Sequence, residues 1–195
     1  MRHNFAVTGE VYSLRPIENG DAQFVVELRN CAELGKYIHR GAQSSSEQLK
    51  WLETYYARAN DYYFVVEKKA SQAAEGLIAL YDVDETQRSA EWGRWLLKPG
   101  SLAATESAFL IYQFAFDVLS LNQVYCRTVE ENRAVVSFHD SCGLKRTAKL
   151  ANQFVISGKS YDAVEHSLTA SDWPKIKTRL QTIISRFSRR KKPHE

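Results

Sequence analysis

EWGRWLLKPGSLAATESAFLIYQFAFDVLSLNQVYCRTVEENRAVVSFHDSCGL, residues 91–144, is the stretch that decides the fold. It opens inside an apolar run, Ala90 to Leu97, of strand character, and breaks at Pro99-Gly100. From Ala104 the period changes to 3.6: Ala108, Tyr112, Ala115, Phe116 and Leu119 share one face of a long helix. Gln123 to Val129 returns to strand character. Asn132 then opens a further helix carrying Val135, Val136 and Phe138, which Gly143 ends. The unit is strand, loop, helix, strand, helix.

Upstream, Val11 to Pro16 reads as a short strand closed by the Asn19-Gly20 turn, and Asp21 caps a helix with Phe24, Val25, Leu28 and Cys31 on one face as far as Leu34. Ser44-Ser45-Ser46-Glu47 supplies a second helix start, with Leu49, Leu52, Tyr55 and Tyr56 following and an end near Asn60. Tyr62 to Val66 is aromatic and β-branched, and with Gly76 to Val83 and Ala90 to Leu97 it makes three consecutive antiparallel strands. Downstream, Phe154 to Ile156 and Tyr161 to Leu168 form a closing hairpin around Gly158-Lys159. Trp173-Pro174 starts an amphipathic C-terminal helix with Ile176, Leu180, Ile183, Ile184 and Phe187. The order β-α-α-β-β-β-α-β-α-β-β is an α+β layout with a mixed sheet.

At 195 residues the chain suits one domain, 1–195, in which 174–195 is a basic amphipathic helix and tail. The net charge of +3 is concentrated in that tail, at Arg186, Arg189, Arg190, Lys191 and Lys192. A terminal basic run without a second patch of interleaved aromatics argues against a nucleic-acid partner. Cys31, Cys126 and Cys142 form no C-x-x-C pair, which argues against a disulfide framework or a metal site and for a reducing compartment. Neither a leader-like apolar run nor a membrane-length one occurs, so no membrane partner and a cytoplasmic location are expected. The apolar face of the last helix can pack on its own sheet or on a second copy in a homodimer.

Residues 91–144 resemble the acyl-CoA core of the GNAT superfamily, through the strand that runs into a turn and long helix, the FAFDVLSLNQVYCRTVEEN continuation, and Asn132 followed by a helix ending in Gly-Leu. Leu28-Arg29-Asn30, Glu91-Trp92-Gly93 and Tyr161-Asp162 extend the likeness over roughly residues 11–173. Two groups are nearest: the ribosomal-protein N-terminal acetyltransferases and the amino-sugar N-acetyltransferases of pseudaminic-acid-type pathways. The resemblance implies a mixed central sheet with helices on both faces, splayed parallel strands at the acyl-CoA site, and acetyl-CoA as cofactor. It implies that the Trp92 to Leu97 strand pairs with the pantetheine arm as an added strand would. The pyrophosphate would then meet the helix N-terminus.

The cofactor-binding residues so implied are Trp95, Leu96, Leu97, Lys98, Gly100, Ser101, Leu102, Ala103, Ala104, Thr105 and Asn132. The family loop is R/Q-x-x-G-x-G/A, and Pro99 to Ala104 matches only its last position. Backbone N–H groups beside small residues still allow phosphate to approach.

Acyl transfer to an amine needs a neutral nucleophile, a stabilised oxyanion and a proton for the departing thiolate. By resemblance, Glu91 is the base, acting through water, and Asn132 bonds the pantetheine or acyl group. His139, seven residues after Asn132, stands where relatives carry a Tyr as general acid. Arg29, Asn30, Tyr37, His39, Arg40, Trp92 and Tyr161 are the acceptor-side candidates, since a nucleotide-sugar needs an Arg for its diphosphate and an aromatic ring under its base. The expected acceptor is the amine of a small molecule, first a nucleotide-linked amino-sugar, with a protein N-terminus as alternative. A non-catalytic CoA-binding member is the third reading.

Overall fold

A computed structural model describes residues 2–189. Eight strands form one sheet in the order β1-β2-β3-β4-β5-β6-β8-β7. They are β1 (Val7–Thr8), β2 (Tyr12–Pro16), β3 (Tyr62–Lys68), β4 (Ala73–Asp84), β5 (Ser89–Leu97), β6 (Gln123–Val129), β7 (Lys145–Ile156) and β8 (Lys159–Thr169). The helices are α1 (Ala22–Arg29), α2 (Ser45–Tyr56), α3 (Ala104–Gln113), α4 (Arg133–Cys142) and α5 (Trp173–Arg189). Among these strands only β5 and β6 pair in parallel. The basic tail expected beyond Arg189 lies outside the described residues.

Both faces of the central strands are buried, and this is why β3 and β4 read as unbroken apolar runs. On one face Tyr63, Val65, Leu77 and Ala79 pack with Val25 and Leu28 of α1 and Leu52 and Tyr55 of α2. On the other, Phe64, Val66, Ile78, Leu80 and Trp92 pack with Leu110, Tyr112 and Phe114 and with Trp173, Leu180 and Ile184 of α5. The apolar face of α5 therefore rests on this chain's own core.

Local signals explain the helix limits. Ser44 caps α2, its hydroxyl accepting from the Glu47 N–H at 3.3 Å, a contact worth about 1 kcal/mol. Helix α1 stops at Arg29, short of the Leu34 expected from the apolar spacing. There the Asn30 amide donates at 3.0 Å both to the Val26 carbonyl and to the Ala42 carbonyl, tying the helix end to the loop before α2. The long helix after residue 104 also departs from regular form, since Phe114–Val118 make a π-helical turn continuing α3. Strand β7 is far longer than the Phe154 to Ile156 segment expected.

Candidate active site

Strands β5 and β6 pair only through Ser89↔Gln123, Ala90↔Val124 and Glu91↔Tyr125. Beyond Glu91 they part, while β5 keeps its other neighbour, β4, as far as Gly76↔Leu97. The strand also gains a residue here: Gly93 faces Ala79 and Leu96 faces Leu77, and Arg94 between them has φ +47°. This bulge bends β5 away from β6. A left-handed backbone at a non-glycine residue costs on the order of 1 kcal/mol and is retained where the surroundings hold it. Asp61 holds it here, accepting from both Arg94 guanidinium nitrogens at 2.6 and 3.0 Å.

The splay opens a cleft of about 240 Å³, and Glu91 is the one carboxylate among the described residues lining it. Glu91 is 8% exposed. Its Oε1 accepts from the Tyr81 hydroxyl at 3.3 Å and its Oε2 from Arg127 Nη1 at 3.1 Å. Burial pushes the Glu91 carboxyl up from its ordinary range, while Arg127 and the Tyr81 hydroxyl draw it back down. Arg127 in turn donates to Glu165 through Nε at 3.1 Å, which fixes the guanidinium. Gly93 makes this arrangement reachable: a Cβ there would stand 2.6 Å from the Tyr81 hydroxyl.

Asn132 lines the same cleft at the N-terminus of α4. Its side chain makes no cap bond, so the amide is not spent on the helix. His139 lines the cleft too, seven residues on, but its chemistry differs from the expectation. It is 2% exposed, enclosed by Trp92, Trp95, Phe138 and His166, and its Nδ1 has no hydrogen-bond partner. Burial, with His166 adding a smaller push, lowers its pKa to about 3. The ring is therefore a neutral imidazole at neutral pH, so a general-acid role would use its one remaining N–H rather than an imidazolium proton.

The expected cofactor segments divide in two. Trp95 and Leu96 line the cleft; Leu97, at the end of β5, and Lys98, Gly100, Ser101, Leu102, Ala103, Ala104 and Thr105, along the loop and first turn of α3, lie outside that lining. Ala103 is the N-cap, and no side chain caps this helix, so its first-turn N–H groups are suited to an anion. Leu102 is 62% exposed, whereas Ala103 is fully buried and offers backbone only. An uncapped helix start next to an unpaired strand edge fits the diphosphate and amide arm of acetyl-CoA.

The acceptor-side candidates are scattered. Arg29, Tyr37, His39 and Trp92 line the cleft, but Arg40 lines a neighbouring cavity, and Tyr161 meets Tyr37 edge-on at 6.1 Å. Asn30 is a structural tie, with its amide on two carbonyls and its Oδ1 accepting from Gln43. Trp92, 2% exposed with its indole donating to the Tyr112 hydroxyl at 3.0 Å, belongs to the core rather than to a stacking platform. Sequence reasoning missed Tyr81, whose role depends on its cross-strand neighbour, and no local pattern carries that.

The chain matches the family profile described as an acetyltransferase (GNAT) domain over residues 13–145, more than half its length. It belongs to the GNAT acetyltransferase family. A spermidine N(1)-acetyltransferase of Vibrio cholerae serotype O1 is 27% identical to this GNAT chain over 154 residues, 77% of this chain and 88% of that protein. FdhC, a solved nucleotide-linked sugar GNAT, is 27% identical with a TM-score of 0.77, covering 91% of this chain and 97% of that one. A GCN5-related N-acetyltransferase from Brucella melitensis shares the fold with a TM-score of 0.81 at 22% identity, over 92% of this chain and 85% of that one. The protein is thus a GNAT N-acetyltransferase whose acyl donor is acetyl-CoA. Among the described residues no helix is long and apolar enough to cross a membrane.

Proposed function

We propose that this N-acetyltransferase acts on the amine of a small acceptor, an amino-sugar carried on a nucleotide, with Glu91 as the base. The observation that carries the reading is the charge of the cleft. Glu91 is its lone carboxylate among the described residues and is already engaged by Arg127, while Arg29, Arg94 and Arg127 also line it. A free polyamine carries several positive charges and would meet guanidiniums at this mouth. An acceptor with a single amine and an anionic body meets complementary charge at both ends. The similarity to a nucleotide-linked sugar GNAT agrees with this reading, and the similarity to spermidine acetyltransferases agrees with a small amine acceptor.

Acetyl-CoA, when bound, supplies a thioester carbonyl open to attack by an amine. The chain's own groups prepare that attack. Glu91, buried and hydrogen-bonded by Arg127 and Tyr81, takes a proton from the acceptor ammonium through a water molecule. Backbone N–H groups of the bulged 93–95 segment, turned from β6, stabilise the developing oxyanion. The Asn132 amide orients the arm beside them. A thiol near its ordinary pKa of about 8.5 leaves without needing an acid.

Free-thiol release against a panel of nucleotide-linked amino-sugars, spermidine and basic peptides tests the acceptor. Turnover of a nucleotide amino-sugar is expected; exclusive turnover of spermidine or a peptide overturns it. Thermal stabilisation by acetyl-CoA, about 2.7 kcal/mol at a hundredfold excess over Kd, tests the donor site separately.

A further inference from the structure

Beside the cleft, and sharing Arg29, His39 and Arg94 with it, lies a second cavity of about 400 Å³ between α1, the loop before α2, α2 itself and the β5 bulge. Four guanidiniums line it, those of Arg29, Arg40, Arg58 and Arg94, and no carboxylate stands among its described lining residues. Asp61 lies behind this wall, 2.6 Å from Arg94 and 3.8 Å from Arg58. Arg29 donates to the His39 carbonyl at 2.8 Å, a neutral partner that leaves its charge uncompensated by that bond. Clustered cations on one wall repel one another, and an anion relieves that repulsion.

The remaining wall is aromatic. The Trp51 ring lies 5.6 Å from the Arg58 guanidinium and 5.8 Å from that of Arg94, and lies parallel to Tyr55 with centroids 5.5 Å apart. Guanidiniums grip phosphate oxygens in pairs, and those of Arg58 and Arg94 are held over the indole that Tyr55 flanks in parallel. Two positions are prepared by backbone. Gly41 lets Arg29 pass so closely that a Cβ would stand 2.5 Å from its Nε, and the bulge at Arg94 aims its guanidinium over Tyr81 at 4.5 Å.

We infer that this cavity seats the diphosphate of a nucleoside diphosphate. The sugar amine attached to it reaches Glu91 through the opening bounded by Arg29, His39 and Arg94. The assignment rests on the amino-sugar reading above for what is attached, and on the cavity alone for the diphosphate. Trp51 and Arg58, which line only this second cavity, are its distinguishing residues.

Calorimetric titration of the full chain, saturated with CoA to close the donor site, with UDP, dTDP, inorganic pyrophosphate and spermidine tests it. UDP, dTDP and pyrophosphate bind, and spermidine does not. Arg58→Gln weakens all three by about tenfold, and Trp51→Phe, which shortens the ring beneath the Arg58 and Arg94 guanidiniums, weakens them by a few fold. Unchanged acetyl-CoA thermal stabilisation shows that both variants are folded. Absence of nucleotide binding, or binding indifferent to both folded variants, overturns the site. Nucleotide binding lost in Arg58→Gln, with no nucleotide amino-sugar acetylated, upholds the cavity and overturns the acceptor reading. Acetylation of such a sugar with KM unchanged in both variants does the reverse.

Discussion

The cleft at the β5–β6 splay and the arginine cavity next to it share a wall, yet they handle charge in opposite ways. In the cleft, a carboxylate at 8% exposure is kept ionisable by one guanidinium and one phenol. In the cavity the Arg58 side chain is 44% exposed and Arg94 22%, so the cations keep part of their hydration. Burial tunes the first group's proton affinity; partial exposure lets the second set exchange water for a ligand at modest cost. Chemistry and recognition are thereby assigned to neighbouring sites that can be damaged separately.

The separation is broken most severely at Glu91. Glu91→Gln should lower kcat by about a hundredfold or more, with acetyl-CoA stabilisation retained. Because burial raises the Glu91 pKa, the wild-type rate should climb with pH on a limb displaced upward from the ordinary carboxylate range, and the variant should lack that limb. A wild-type profile without it removes Glu91 as the base. Gly93→Ala, which drives a methyl into the Tyr81 hydroxyl, should cost about tenfold in kcat, and steady-state kinetics with KM for the acceptor unchanged would place the defect in the cleft. Gly41→Ala displaces Arg29 and should instead raise acceptor KM by a few fold. A matching loss in kcat would erase the distinction between the two sites.

His139 sharpens the contrast through stability. Its pKa falls from 6.5 unfolded to about 3 folded, so its contribution is complete above pH 6.5 and is lost as pH falls toward 3. Chemical denaturation should show His139→Asn losing less stability between pH 7 and pH 5, by about 2 kcal/mol. In turnover the same variant should show the mildest effect of the set, since a thiolate leaves without needing an acid.

Legibility in the sequence followed the same division between buried and exposed. The segment from Glu91 to Leu144 announced its elements because its strands are buried on both sides and its helices on one, and β6 spans the residues read from the sequence. Strand β7 failed because Lys145 to Gln153 lies at the sheet's edge, largely exposed, and shows no alternation to detect. Helix α1 was overrun because Cys31 and Leu34 continue the apolar spacing past the point where Asn30 turns the backbone. Glu91, Asn132 and His139 were brought into one cleft as the resemblance implied. The protonation state of His139 was not legible, since it is set by rings from β5, α4 and β8 that meet only in three dimensions.

The extra residue in β5 also fixes a count. A strand shows alternate residues to alternate faces, yet Trp92 and Trp95, three apart, both pack toward α3, while Arg94 meets Trp51 of α2 and Leu96 packs in the cluster of α1 and α2. Removing the extra residue between Gly93 and Leu96 would restore strict alternation and leave Trp92 and Trp95 on one face, two apart, but it would take away the bend that parts β5 from β6. Substitution in this segment is thus a matter of degree, whereas a single-codon deletion would straighten the strand and narrow the reaction chamber.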